Sequence, residues 1–213
     1  CEEERFSRVK HAKEARVDNP HELPEQAVRF CLDYAGLRPD DIDIVAYSFE
    51  PRLRRAKFRP EWWPDSALED VFLKSLDEID DAVARLMGRR LGKALKYVPH
   101  HLAHAASAYY PSGFEKAAIL VIDGIGEADC TMLARGERDH ISVLASLSYP
   151  HSLGFVWEHT SVYLGFSAYD AAKVMGLAAY GDPAVFRREF ASIIQATDEG
   201  YAVDAERVGF RSL

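Results

Sequence analysis

The sequence is poor in cysteine, with only Cys1, Cys31 and Cys130 among its 213 residues. No two of them form a CxxC pair, so neither a disulfide framework nor a zinc ribbon is predicted. The sequence also has no apolar run of about 18 residues, the length that a membrane-spanning helix needs. No charged-then-apolar leader opens it. We therefore expect a cytoplasmic protein that neither crosses a membrane nor is exported.

Positive charge is also in short supply, because 26 Lys and Arg residues face 34 Asp and Glu residues, giving a formal net charge of −8. Proteins that bind nucleic acid or an anionic membrane surface through their overall electrostatic field carry a net positive charge. We therefore expect no nucleic-acid partner and no membrane partner. Composition leaves the oligomeric state open. The chain opens on "CEEERFSRVKH" without a methionine, and we expect it to be a fragment of a longer protein.

The pattern of apolar residues predicts alternating helices and strands, which is typical of an α/β layer. Helices are predicted over 24–35, over 65–91 with a possible interruption, and over 100–110, where Pro111 to Gly113 end the helix. Residues 42–49 and 117–122 predict strands covered on both faces, and residues 128–148 predict a hairpin. Residues 51–64 show no sustained period and are interpreted as a surface excursion. The C-terminal third predicts helices over 152–165, 167–181 and 182–197, then a strand and a turn.

Three histidines lie within five positions at the start of the helix over 100–110. His100 and His104 are four residues apart, so their rings stand one helical turn apart on the same face and can bind one metal ion. His101 is predicted to point elsewhere. Surface or capping histidines are the alternative interpretation.

Asp123 follows the strand over 117–122, at the end where open α/β sheets bind ligands. Gly124 and Gly126 would let the backbone approach an anion closely. Two imidazoles and one carboxylate form a site for iron, zinc or manganese, so we predict His100, His104 and Asp123 as metal ligands. The alternative is a tight turn with glycines at positive φ, in which Glu127 and Asp129 are simply solvated.

Five separated motifs carry a resemblance to a known family. They are "EEERF" followed by "KH", "HHLAHAASAYY", "DGIGEAD", "SLGFVWEHTSVYLGF" and "KVMGLAAYGDP". In this order they resemble the NodU/CmcH/TobZ family of O-carbamoyltransferases over nearly the whole chain, although residues 51–95 carry almost none of the likeness.

The resemblance implies an actin-like ATPase (ASKHA) fold, and residues 1–213 would form most of its first lobe, with a mixed sheet flanked by helices. It implies an enzyme that uses ATP and carbamoyl phosphate to make carbamoyl-adenylate in a separate YrdC-like domain. The carbamoyl group then passes to the hydroxyl of a small acceptor. A divalent metal, iron first and zinc, manganese or magnesium otherwise, would hold the adenylate phosphate through His100, His104 and Asp123.

The resemblance also implies roles outside the metal site. Lys10 and His11 would bind phosphate or the acceptor, with ion pairing to Glu2–Glu4 as the alternative. Asp170 and Lys173 would contact ribose or phosphate, and an ion pair on the helix surface is the alternative. Gly154, Gly165 and Gly176 would allow close helix packing or helix ends.

The family's first strand, with an "HD" motif that supplies the general base, would precede Cys1, and the fourth metal ligand and the second lobe would also lie elsewhere. We therefore expect the chain alone to be inactive. The alternatives are a related carbamoylation step, either hydrogenase maturation or threonylcarbamoyl transfer, and a nucleotide-binding module of the same fold that has lost catalysis.

Overall fold

A computed structural model describes residues 1–9, 22–59 and 66–209. The chain divides into two compact units, one from the described residues up to 56 together with 66–98, and one from 57–59 together with 99–209. Both units combine helices with small sheets, so the α/β class is confirmed. None of the described helices combines the length and the apolar character that crossing a bilayer requires.

Helices and strands follow one another in small groups along the described residues. The α-helices are α1 Glu4–Ser7, α2 Glu25–Ala35, α3 Pro51–Lys57, α4 Ser66–Asp77, α5 Ile79–Met87, α6 His100–Tyr109, α7 Leu153–Tyr163, α8 Ala171–Ala178, α9 Arg187–Ile193 and α10 Ala205–Val208. The strands are β1 Val45–Tyr47, β2 Leu95–Tyr97, β3 Lys116–Ile122, β4 Asp129–Glu137, β5 His140–Ser148, β6 Ile194–Thr197 and β7 Gly200–Val203.

The described strands form three sheets. Strands β1 and β2 pair in parallel, β3, β4 and β5 form an antiparallel sheet in that order, and β6 and β7 form an antiparallel pair. Parallel and antiparallel pairs are thus both present, and the mixed sheet of the lobe that the resemblance implies stays a prediction.

The first unit confirms one prediction and corrects another. The helix predicted over 65–91 with a possible interruption is interrupted at Glu78 and forms α4 and α5. The segment interpreted as an irregular excursion contains helix α3, whose Arg54 is buried and donates two hydrogen bonds to the carboxylate of buried Glu69, at 2.6 and 3.1 Å. This pairing is a long-range contact, so the apolar period of α3 alone does not reveal it. The remainder of the excursion, residues 60–64, lies outside the described residues.

The core of the second unit lies between helix α6 and one face of the sheet β3–β4–β5. Ala105 and Tyr109 of α6 pack against buried strand residues, which are Ile119, Val121, Met132 and Ala134. The opposite face of the same sheet is exposed, with Leu120 and Ile122 more than half accessible. The prediction that residues 117–122 form a strand was right, and the prediction that both faces are covered was wrong within the described chain.

The remaining elements agree with the sequence more closely in type than in length. The predicted hairpin forms, and Arg138 in its turn has φ of 57°. The strand predicted over 42–49 shortens to β1. The helix predicted to begin near Pro183 begins only at Arg187, and its predicted end forms strand β6 instead.

Candidate metal centre

Helix α6 places His100 and His104 as their spacing predicts. The two Nε2 atoms lie 3.1 Å apart, and the rings meet edge to face with centroids 4.6 Å apart. Because both side chains belong to one helix, the backbone hydrogen bonds of α6 fix the separation of their Cβ atoms.

Strand β3 delivers Asp123 to the same place. Its backbone N–H donates to the carbonyl of Cys130 on β4, and its Oδ1 accepts from the backbone N–H of Gly124 at 2.7 Å. Its Oδ2 lies 3.1 Å from His100 Nε2 and 3.9 Å from His104 Nε2. The three predicted ligands therefore come together, with α6 packed on the sheet that carries Asp123.

The electrostatics of the three side chains suit a cation. Burial by itself raises the pKa of Asp123, but His100, His101 and the Gly124 amide outweigh burial and hold that pKa well below its usual range. Burial and the neighbouring His100 lower the pKa of His104, with partial opposition from Asp123. At neutral pH the carboxylate is thus ionised and the His104 imidazole keeps a lone pair, which are the forms that bind metal.

The distances also fit an ion. The ligand atoms of His100, His104 and Asp123 all lie within 4.8 Å of one another. Metal–ligand bonds of about 2.0–2.2 Å place neighbouring ligand atoms about 3.3 Å apart. The Nε2 atom of His100 lies 3.1 Å from both His104 Nε2 and Asp123 Oδ2, which is close to that value. The distance from His104 Nε2 to Asp123 Oδ2 is somewhat longer, at 3.9 Å. Two imidazoles and one carboxylate accept iron, zinc or manganese.

His101 does not point away from the site as predicted. Its side chain is buried, and its Nε2 lies 3.6 Å from Asp123 Oδ2. The prediction considered only which residues share a helical face, and it did not consider that the adjacent face of α6 packs on the strand that ends at Asp123.

Glu127 is buried, so the alternative interpretation in which it is simply solvated was wrong. Both of its carboxylate oxygens accept from the backbone N–H of His100, at 2.9 and 3.2 Å. This N–H is one of the four at the start of α6 that have no partner inside the helix, and the negative charge also favours a helix N-terminus. Glu127 therefore fixes the end of the helix that carries the histidines.

Replacing Glu127 with Ala should lower the free energy of unfolding by about 1–3 kcal/mol, because the His100 N–H then loses a charged acceptor in a buried place. Glu127→Gln keeps an oxygen and should cost about half as much. Urea unfolding measures both values, with the exposed Glu199→Ala as control. If the Ala variant is as stable as the control, this cap does not stabilise the unit.

The glycines near Asp123 act through close packing. A Cβ on Gly154 would lie 2.4 Å from the Gly124 nitrogen and 2.6 Å from the Asp123 carbonyl carbon and oxygen. The start of α7 therefore rests directly on the backbone at Asp123. The fully buried Ser152 stabilises this contact, because its hydroxyl donates to the Gly124 carbonyl and accepts from the Phe155 N–H.

Gly124 and Gly126 were predicted to let the backbone approach an anion, and that role stays a prediction. Neither has positive φ, so the alternative of a left-handed turn was wrong. A Cβ on Gly124 would meet the ring of Phe155 at 3.3 Å, and one on Gly126 would meet His100 Cβ at 3.2 Å and His101 Cδ2 at 3.3 Å. Both glycines make room for neighbouring side chains.

Two of the other predicted binding residues, Asp170 and Lys173, contact each other. Asp170 and Lys173 form an ion pair at 3.1 Å, and Asp170 also accepts from the Ser167 hydroxyl. The surface ion pair is therefore present, while ribose or phosphate contact stays a prediction. Lys10 and His11 lie outside the described residues.

The sequence did not predict the roles of Ser152, Glu127 and His101 in this centre. Only one of the three has a local sequence signal. Ser152 precedes the helix that begins at Leu153, which is the usual place of a capping serine. The capping by Glu127 and the burial of His101 depend on residues distant in sequence, so no local sequence pattern predicts them.

Cys130 lies in the strand beside Asp123, and its thiol is buried. Burial is the main reason that the pKa of this thiol rises to about 12. We expect iodoacetamide at pH 8 to label the exposed Cys31 and to leave Cys130 unlabelled in the folded protein, because the thiolate is the nucleophile. The pKa of Cys130 is higher in the folded protein than in the unfolded chain, so the folded state favours the neutral thiol. The stability that this preference contributes is present below about pH 8.5 and is lost as the pH rises towards the folded pKa. Peptide mapping checks the labelling, and equal labelling of both cysteines would contradict it.

Comparisons with known proteins give a consistent relationship. A family model described as "Carbamoyltransferase N-terminus" matches residues 1–211. The chain is 34% identical over 219 residues to nodulation protein NolNO of Sinorhizobium fredii, covering 98% of the chain and 30% of that protein. It is 41% identical over 111 residues to nodulation protein NolO of Bradyrhizobium diazoefficiens, covering 52% of the chain and 20% of that protein. An uncharacterised Synechocystis protein is 31% identical over 202 residues, covering 85% of the chain and 31% of that protein. The chain thus spans less than a third of the length of these relatives.

Proposed function

The chain belongs to the family described as Carbamoyltransferase N-terminus, and on that premise we propose that the full-length protein is a metal- and ATP-dependent O-carbamoyltransferase. The observation that carries the metal dependence is the convergence of His100, His104 and Asp123, whose ligand atoms lie within 4.8 Å of one another. Family membership supports the transferase class, and the chemistry of these three donors supports the metal.

The substrates follow from the carbamoyl chemistry. The carbamoyl group would come from carbamoyl phosphate, which loses its phosphate, and would become attached to the α-phosphate of ATP as carbamoyl-adenylate with release of pyrophosphate. In the transfer step the acceptor oxygen bonds to the carbamoyl carbon, the bond from that carbon to the phosphate oxygen breaks, and AMP leaves. A base takes the proton of the acceptor hydroxyl. We assign the acceptor as a small molecule with a free hydroxyl group.

The residues of the centre would each serve this step. His100, His104 and Asp123 would hold the ion, and a bound divalent ion supplies positive charge beside the phosphate, where negative charge develops as AMP leaves. Glu127 holds the first turn of α6, and Ser152 holds the backbone beside Asp123, so both ends of the ligand set are fixed before substrate binds.

We further propose that the chain forms part of an actin-like ATPase fold. The described helices and small sheets are compatible with it. Within it, Gly124, Gly126, Asp170 and Lys173 would lie towards the nucleotide, and Lys10 and His11 would bind phosphate or acceptor.

The direct test uses the full-length protein with ATP, radiolabelled carbamoyl phosphate and a panel of small hydroxyl compounds. We expect pyrophosphate release that needs carbamoyl phosphate, a carbamate ester on at least one acceptor, and loss of ester formation after chelation that Fe²⁺, Mn²⁺ or Zn²⁺ reverses. Binding of ATP without pyrophosphate release under all metals would contradict the proposal and favour a nucleotide-binding module. Unchanged ester formation after chelation would contradict the metal dependence alone.

A further inference from the structure

His101 is one of the buried polar side chains of the centre that the ligand set does not use. Within the described part of the chain, no hydrogen-bond partner reaches its Nε2, and none of acceptable geometry reaches Asp123 Oδ2, although both atoms are buried. The two atoms face each other at 3.6 Å. A buried donor and a buried acceptor without partners cost folding free energy, so such pairs are rare unless they serve a purpose.

We propose that His101 is a positioning residue, whose Nε2–H donates to Asp123 Oδ2 and sets the orientation of the carboxylate for the metal. This inference rests on the metal site of the proposed function. A contact of 3.6 Å is too long for a hydrogen bond, and a movement of about 0.5 Å would close it to the usual N–H to oxygen distance.

The carboxylate has the capacity for this arrangement. Oδ1 is occupied by the Gly124 N–H at 2.7 Å, which leaves Oδ2 to face the imidazoles. An ionised carboxylate oxygen offers two lone pairs. One can bind a cation shared with His100 and His104, and the other can accept from His101. Without the second contact, the carboxylate can rotate about its terminal torsion, which is broad for aspartate.

Helix α6 explains how two adjacent histidines reach one carboxylate. His101 and Ala105 are one turn apart and both are buried, so their face packs inward, while His104, on the other face, stays half exposed. Gly126 provides the space, because a Cβ there would lie 3.4 Å from His101 Nε2 and 3.3 Å from its Cδ2. The helix therefore gives one face to the cation and the adjacent face to the residue that would orient the third ligand.

The test measures Co²⁺ binding to metal-free full-length protein by titration of the visible d–d bands. His101→Phe keeps a flat ring and removes the donor, whereas His101→Gln puts an amide N–H near the position of Nε2. We expect the Kd for Co²⁺ to rise about 10–100-fold in the Phe variant, as is typical when the partner of a metal ligand is lost. The Gln variant should return to within about fivefold of the original protein, a recovery that a purely structural role would not give. Exposed His140→Gln serves as the surface control.

A second variant without the donor is His101→Met, whose flexible side chain has no N–H and can fill an irregular space. It should weaken Co²⁺ binding about 10–100-fold, and it decides the matter if His101→Phe does not fold. Gly126→Ala is unsuitable, because the added Cβ would also meet His100 Cβ at 3.2 Å.

The outcomes separate the two proposals. If the original protein binds no Co²⁺, the metal site and the positioning role are both overturned. If it binds Co²⁺ and the Phe and Gln variants bind equally weakly, His101 is a packing residue and only the positioning role is overturned. Unchanged binding in the Phe variant overturns that role too. A shifted d–d band in the Gln variant at unchanged affinity would mean that His101 is itself a ligand, which also overturns the positioning role.

Discussion

Full-length protein with Asp123→Asn is expected to purify without bound metal and to transfer the carbamoyl group at least about 100-fold more slowly, the size of effect seen when one charge-stabilising group is removed from an active site. The amide is neutral and a weaker ligand than the carboxylate, so two imidazoles remain to hold the ion. Metal analysis by mass spectrometry and the ester-forming assay measure the two effects on the same samples.

The control for this prediction is His140→Ala, because His140 is an exposed histidine at the start of β5 and lies outside the centre. Metal content and transfer should stay unchanged in it. The metal-free Asp123→Asn protein should fold but be less stable at neutral pH. The lowered pKa of Asp123 means that the folded state favours the ionised form, so this contribution to stability is present above about pH 3.9 and is lost as the pH falls. Full metal content in the variant would rule out Asp123 as a ligand.

Gly154→Ala is expected to lower the free energy of unfolding by about 3 kcal/mol or more, because the new methyl group overlaps backbone atoms that cannot rotate away. Those atoms are the Gly124 nitrogen at 2.4 Å and the Asp123 carbonyl group at 2.6 Å. Any relaxation moves the backbone beside the metal ligand, so the Kd for Co²⁺ should rise as well. Urea unfolding followed by circular dichroism gives the stability.

The matched variant is Gly176→Ala, at a glycine inside helix α8 that has no atom within 4 Å of an added Cβ. It should raise the free energy of unfolding by about 0.5–1 kcal/mol, since alanine has less backbone freedom to lose. Equal effects of the two substitutions would show that the close approach at Gly154 does not constrain the fold.

The sequence predicts those parts of the centre that depend on local periodicity. A helix with histidines four apart and a strand that ends before Asp123 are each contained in one short segment, and both were confirmed. The distance between the two segments is not local information. It depends on Ala105 and Tyr109 packing against Ile119 and Val121. The place of Asp123 at the ligand-binding end of its strand suggested this proximity beforehand, and the family resemblance implied it as well.

The misses share a different physical cause. The alternative interpretation treated Glu127 and Asp129 alike, yet Glu127 is buried and accepts from the first N–H of α6, while Asp129 accepts from Ser148 on the neighbouring strand β5. The apolar strand β3 was expected to be covered on both faces because its composition permits it. Composition does not show which other elements of a protein pack against each face of the strand.

The two adjacent faces of α6 also bear on which length changes the gene can tolerate. Each residue added to a helix rotates all later side chains by about 100°, so one inserted residue between His101 and His104 would place the second ligand on the wrong face. At the exposed turn of Arg138 and Asp139, between β4 and β5, an extra residue rotates nothing that the centre uses. Among related genes, insertions and deletions should therefore accumulate at that hairpin and spare the five codons from His100 to His104.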